Sequence, residues 1–169
     1  MARAERLIPF ILKWEGGYVN DPLDRGGATN KGITIGTFRH FYGMSATIEQ
    51  LQNMSDAQWE KIFLVGYWRP FKADLIKNQA VANICVDWAW ASGATTAIRQ
   101  VQKLLGVTAD GIVGDITIGA INKREPQALF EEIKKARIDF INAIVRNNPS
   151  QARFSRGWLN RINDIEFNL

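Results

Sequence analysis

Cysteine and histidine are almost absent from this 169-residue chain: Cys85 and His40 are the single representatives of their types. One cysteine cannot close an internal disulfide, and it stands in the apolar run AVANICVDWAWA, where a buried thiol is the expected state. One histidine and one cysteine are too few for a zinc site of the usual Cys/His type. Ser-His-Asp or Cys-His chemistry would have to use His40, which lies among aromatics in TFRHFYGM with no motif around it and is expected to pack or face solvent. No Gly-Lys-Ser or Gly-Lys-Thr occurs, so a phosphate-binding loop is excluded. No apolar run approaches the roughly 18 residues that span a bilayer, because Asn83 and Asp87 interrupt Ala80 to Ala91. The N-terminal MARAERLIPFILKWEGG is broken by Glu5 and Lys13 and lacks a small-residue cleavage site, so a folded helix is expected there in place of a signal peptide. Carboxylates are left as the main catalytic candidates.

What the chain does have is apolar mass: 46% of its residues are hydrophobic, including six Trp, nine Phe and three Tyr, enough for one sizeable core. Lys and Arg number 21 against 17 Asp and Glu, a net charge of +4 with the basic residues dispersed. That excess permits an anionic partner such as the bacterial envelope and gives no concentrated nucleic-acid footprint. No metal or organic cofactor is expected.

Leu7, Ile8, Phe10, Ile11 and Trp14 recur at helical spacing and predict an amphipathic helix over roughly residues 4 to 15, stopped by Gly16-Gly17, with Pro9 near its start. Residues 16 to 32 are glycine-dense, with Gly16, Gly17, Gly26, Gly27 and Gly32 around the turn formers Asn20-Asp21-Pro22, and predict a hairpin. Helices dominate the rest. Thr47 with Gln50 and Ser55 with Gln58 fit capping boxes, the second ahead of Trp59, Ile62 and Phe63. Asn78 is placed to cap a helix running to about Ser92-Gly93, and a further helix carrying Ile98, Val101, Leu104 and Leu105 stops at Gly106. Residues 126 to 147 form a long helix, and Phe154, Trp158, Ile162 and Ile165 give the last segment an apolar face. The fold class is therefore mainly α with a small β-hairpin after the first helix. Two lobes are expected, residues 1–92 and 93–169, packed as one compact monomeric unit.

The segment EGGYVNDPLDRGGATNKGIT carries the chemistry. Glu15 follows Trp14 at the end of an apolar helix, and burial beside apolar groups raises a carboxyl pKa toward the range a general acid needs. A hairpin centred near Val19 and Asn20, with arms of about four residues covering roughly 13 Å each, would return Asp24 beside Glu15. Two carboxylates facing one cleft are a glycosidase arrangement. Spacing leaves the alternative open that Asp21 and Asp24 are turn formers, that Thr29 is a strand or cap residue and that Gly26-Gly27 is a plain turn.

That same segment resembles the signature of the glycoside hydrolase family 108 N-acetylmuramidases, found in phage endolysins and in proteins once called secretion activators. AIRQVQKLLGVTADGIVGDITIGAIN and FSRGWLNRIN resemble the peptidoglycan-binding module that accompanies the family, with GDIT at 114–117 departing from the usual Gly-Pro. The resemblance implies a lysozyme-like fold and a muramidase that cleaves the β-1,4 bond between N-acetylmuramic acid and N-acetylglucosamine. Glu15 matches its general acid. By similarity to the catalytic triplet of phage-type lysozymes, Asp24 would stabilise positive charge or activate water, and Thr29 would position that water. Asp21 competes with Asp24 for the second role, with Asp24 preferred. Tyr18, Tyr67 and Trp68 are candidate sugar-stacking surfaces. Asp87, alone in an apolar helix, needs a hydrogen-bonding partner, and a structural bond to the 26–34 segment is expected. The partner implied is the peptidoglycan glycan strand, reached at the cell wall by a protein held in the cytoplasm until release. A non-catalytic wall-binding or secretion-related protein of the same fold is the competing reading, and a helical nucleic-acid binder, motivated only by the pI, is a third.

Overall fold

The computed structural model describes residues 1–21 and 27–168. Asp24 lies outside them. Among the described residues the chain is mainly helical. A 3-10 turn at Ala4–Arg6 leads into α1, Ile8–Trp14, so the first segment divides where Pro9 occupies the first turn, a position that lacks an intrahelical N–H partner in any case. α1 stops one residue before the glycine pair. Glu15 leaves in extended backbone, φ −96°, while its N–H still bonds Ile11 and Leu12 carbonyls.

The hairpin forms at a different place from the one the turn residues suggest. β1, Thr29–Asn30, pairs antiparallel with β2, Ile33–Thr34, across the two-residue turn Lys31-Gly32. Both turn residues have positive φ, 47° and 78°, which matches the twist of the strands. Val19, expected at a hairpin tip, is bridged instead to Thr29 by two 2.8 Å backbone hydrogen bonds. Tertiary contacts hold this register: the Asn30 amide donates to the Leu51 and Gln52 carbonyls, and the Trp59 indole donates to the Lys31 carbonyl.

α2, Ile35–Tyr42, leads to α3, Ile48–Gln52, and α4, Asp56–Phe63; the last two begin in the expected capping boxes. A widened π-type turn, Leu64–Trp68, extends α4. α5, Gln79–Ser92, is capped by Asn78 and passes through the centre of the molecule, with every residue from Ala80 to Ala89 buried. Cys85 is fully buried there, whereas His40 is exposed on α2 and edge-on to Phe41. α6, Ala94–Leu105, ends at Gly106 in the left-handed region; α7, Asp115–Lys123, follows. α8 spans Pro126–Asn147, the expected range, with the Glu125 carboxylate accepting from the Gln127 and Ala128 N–H groups. α9, Ala152–Asp164, buries Ile162 but leaves Phe154 exposed, so its apolar face is covered only toward its C-terminal end. α5 packs against α6 and α8, and α8 against α9. No helix among the described residues is long and apolar enough to cross a membrane.

Candidate active site

α1 delivers Glu15 to a point where three distant parts of the chain meet. The Trp14 indole donates to Asp164 at the end of α9 at 2.7 Å, and Lys13 pairs with the same carboxylate at 2.8 Å. One helical turn back on α9, Arg161 donates to Glu15 Oε1, also at 2.7 Å. Residues three apart lie on one helix face, so α9 grips Lys13, Trp14 and the following Glu15 together.

The second donor to Glu15 Oε1 is the Trp90 indole at 2.8 Å. Trp90 is seated among Trp59, Phe63 and Tyr67, with ring centroids 5.5, 6.0 and 4.7 Å away. Such offset and tilted packing fixes an indole, leaving its N–H as the polar tip. On the hairpin side, Gly32 lies so close that a Cβ there would stand 2.6 Å from Glu15 Oε2. The carboxylate is therefore clamped between α5, α9 and the Lys31-Gly32 turn, with its side chain 19% exposed. Its surroundings are polar as well as apolar.

Behind Glu15 runs a chain of buried charges. Arg161 donates from Nε and Nη2 to Asp87 Oδ1 at 3.1 and 2.7 Å, and Arg137 of α8 approaches Asp87 Oδ2 at 2.9 Å. Asp87 is wholly buried and Arg137 nearly so. Two arginines face two carboxylates, so the group is neutral when all four are ionised. Burial works against the Arg161 charge, but the combined pull of Asp87 and Glu15 outweighs it and raises the Arg161 pKa. In Arg137 burial prevails over Asp87, and the pKa is lowered. Among the described residues the partners of Asp87 come from α8 and α9, where a bond to the 26–34 segment was expected.

Tyr67 stands beside Trp90 and near Glu15. Burial first, and then the Glu15 charge, push its phenol above the ordinary range. Tyr18 is half-buried against the core, and Thr29 is held in β1 between Val19 and Thr34. Asp21 is exposed on the described edge of the segment whose other residues include Asp24. Trp68 is corrected: only 1% exposed, with its indole N–H donated to Asp74, it belongs to the core and presents no face to a sugar. Sequence reasoning missed Trp90, Arg161 and Gly32. An unpartnered Asp87 in an apolar helix was the available signal for Arg161, since a buried carboxylate calls for a cation.

A carboxylate at the end of a helix, facing a small hairpin and backed by a helical bundle, is the layout of a lysozyme-like glycosidase. The chain belongs to the glycosyl hydrolase 108 family, whose model matches residues 8–93. A second model, described as a predicted peptidoglycan domain, matches residues 96–163. The fold is similar to the solved structure of Brucella abortus SagA, with a TM-score of 0.84, 28% identity, and coverage of 95% of this chain and 90% of that one. No curated protein matches the chain. The two matched segments describe a peptidoglycan hydrolase of lysozyme type, and the Arg161–Glu15 ion pair joins one to the other.

Proposed function

We propose that this protein is an N-acetylmuramidase that cleaves the β-1,4 bond between N-acetylmuramic acid and N-acetylglucosamine, with Glu15 as general acid. The observation that carries this reading is the oriented, partly exposed Glu15 carboxyl with both donors on Oε1. Oε2 is then the oxygen that carries the proton to the glycosidic oxygen as the sugar gains oxocarbenium character. Arg161 stabilises the carboxylate that donation leaves behind. Its two bonds to Asp87 provide Arg161 with its own counter-ion, so it stays paired while Glu15 is neutral.

Asp24, preferred to Asp21, is assigned the second role, stabilising positive charge or activating water, with Thr29 positioning that water. Tyr18 and Tyr67 border the glycan strand. The protein acts as a monomer at the wall, after release from the cytoplasm. Its first 92 residues carry the catalytic lobe and residues 93–169 a wall-binding lobe that also contributes Arg161.

Muropeptide release from purified peptidoglycan tests this, with new reducing ends identified by mass spectrometry for the wild type and Glu15→Gln. Loss of a general acid costs roughly 10²–10⁴ in rate. New N-acetylmuramic acid ends that fall by that factor in the variant support the assignment. A folded wild type that releases nothing favours the non-catalytic wall-binding reading, and an unchanged rate in Glu15→Gln removes Glu15 as the acid.

A further inference from the structure

A cavity lies behind the Glu15 site, between α5, α8 and α9, and shares Arg161 with it. It measures about 130 Å³, and Trp88, Ile141, Ile144 and Trp158 give it apolar walls while Arg137 and Arg161 supply cationic groups. That volume approaches the roughly 150 Å³ of an apolar cavity that holds a benzene molecule. Yet an apolar occupant alone would leave an anomaly. Arg137 is 2% exposed; its Nη1 faces Asp87 Oδ2 at 2.9 Å, and its Nε has no hydrogen-bond partner among the described residues. Buried donors are nearly always satisfied, and a carboxylate satisfies a guanidinium N–H with a charge-assisted bond.

We propose that this cavity binds a carboxylate carried on a small apolar body, with the apolar part between Trp88 and Trp158 and the carboxylate on Arg137. Two sources offer that chemistry: a free aromatic or short-chain acid, and the C-terminal D-alanine carboxylate of a wall peptide. Only the second rests on peptidoglycan being the substrate. Binding is measured without turnover, so its failure is distinct from failure of the muramidase assignment.

The test uses 4-fluorobenzoate as probe, followed by ¹⁹F NMR and calorimetry on the whole protein, with 4-fluorobenzyl alcohol as its neutral counterpart. The acid is expected to bind at least about tenfold more tightly than the alcohol, the scale of one charge-assisted bond. Ala91→Trp, at an exposed position on the cavity rim, and Ile144→Trp, on its wall, are each expected to abolish binding while the fold persists by circular dichroism. N-acetyl-D-alanyl-D-alanine that displaces the probe, with its C-terminal amide inert, identifies the wall peptide as the source; a bound probe that the dipeptide does not displace identifies a free acid. Absence of probe binding, equal binding of acid and alcohol, or binding retained in both filled variants overturns the proposal.

Discussion

Gly32 and Glu15 occupy adjoining space that only a glycine permits: a Cβ at position 32 would fall 2.6 Å from Glu15 Oε2, 2.7 Å from its carboxyl carbon and 2.9 Å from the Trp90 ring. The residue also needs φ +78° to complete the hairpin turn. Gly32→Ala therefore carries two costs. Left-handed backbone in a residue with a Cβ costs about 1–2 kcal/mol. The carboxyl must also move, and a displacement of about 1 Å at a reacting group costs on the order of 10²-fold in rate. Activity should fall far more than stability, as the rate of muropeptide release set against a thermal melt will show. A variant that loses stability alone would mean that Glu15 tolerates the shift.

Asp164 supplies the pH-dependent part of the α1–α9 clamp. The Lys13 ammonium first, and then the Trp14 indole, hold its carboxyl below the usual range. The folded value lies under the unfolded value of about 3.9, so its contribution is complete above that pH and disappears as pH falls through the lowered folded value. Asp164→Asn is expected to melt below the wild type at pH 7, with the two curves converging as pH falls through the lowered folded value. Melting temperatures across that interval check it; a difference that stays constant to pH 2 would assign the effect to packing.

The helices were legible wherever local chemistry decides them. Ser55 with Gln58, Asn78 and Gly106 each mark a boundary by satisfying or ending a backbone ladder within a few residues, and the structure has each boundary there. Glu15 at a helix end was legible for the same reason. The hairpin was displaced because Asn20-Asp21-Pro22 has stronger intrinsic turn chemistry than Lys31-Gly32, yet contacts from α3 and α4 hold Asn30 and Lys31. Trp90 and Arg161, 75 and 146 positions from Glu15, leave no periodic trace in the sequence. Trp68 misled because aromatic identity says nothing about which side of a π-type turn faces inward.

Cys85 offers a clean reporter of global opening. Burial pushes its thiol up to about 12, against a smaller opposing pull from Arg137, so almost no thiolate exists at pH 8. A thiol reagent should leave the native protein unmodified for hours and react within minutes in denaturant. Because Cys85 lies on the central helix, its labelling rate should track whole-molecule unfolding; fast labelling of the native state would reveal a local opening of α5.

Asp87 is the group whose loss should damage the fold most. It is fully buried and is the carboxylate shared by Arg137 and Arg161, so Asp87→Asn keeps the shape but removes the charge that both guanidinium groups face. Removing one partner of a buried ion pair leaves an uncompensated charge and costs roughly 3–5 kcal/mol. At about 2–4 °C per kcal/mol for a chain of this size, the melting temperature should drop by about 10 °C. Arg161 would then lean on Glu15 alone, so the carboxyl proposed as proton donor becomes the sole counter-ion for a partly buried cation. The surviving folded fraction should therefore show altered activity as well as lowered stability. Denaturant unfolding and the rate of muropeptide release on the same preparation separate the two effects: a large loss of stability with an unchanged rate per folded molecule would confine Asp87 to a structural role.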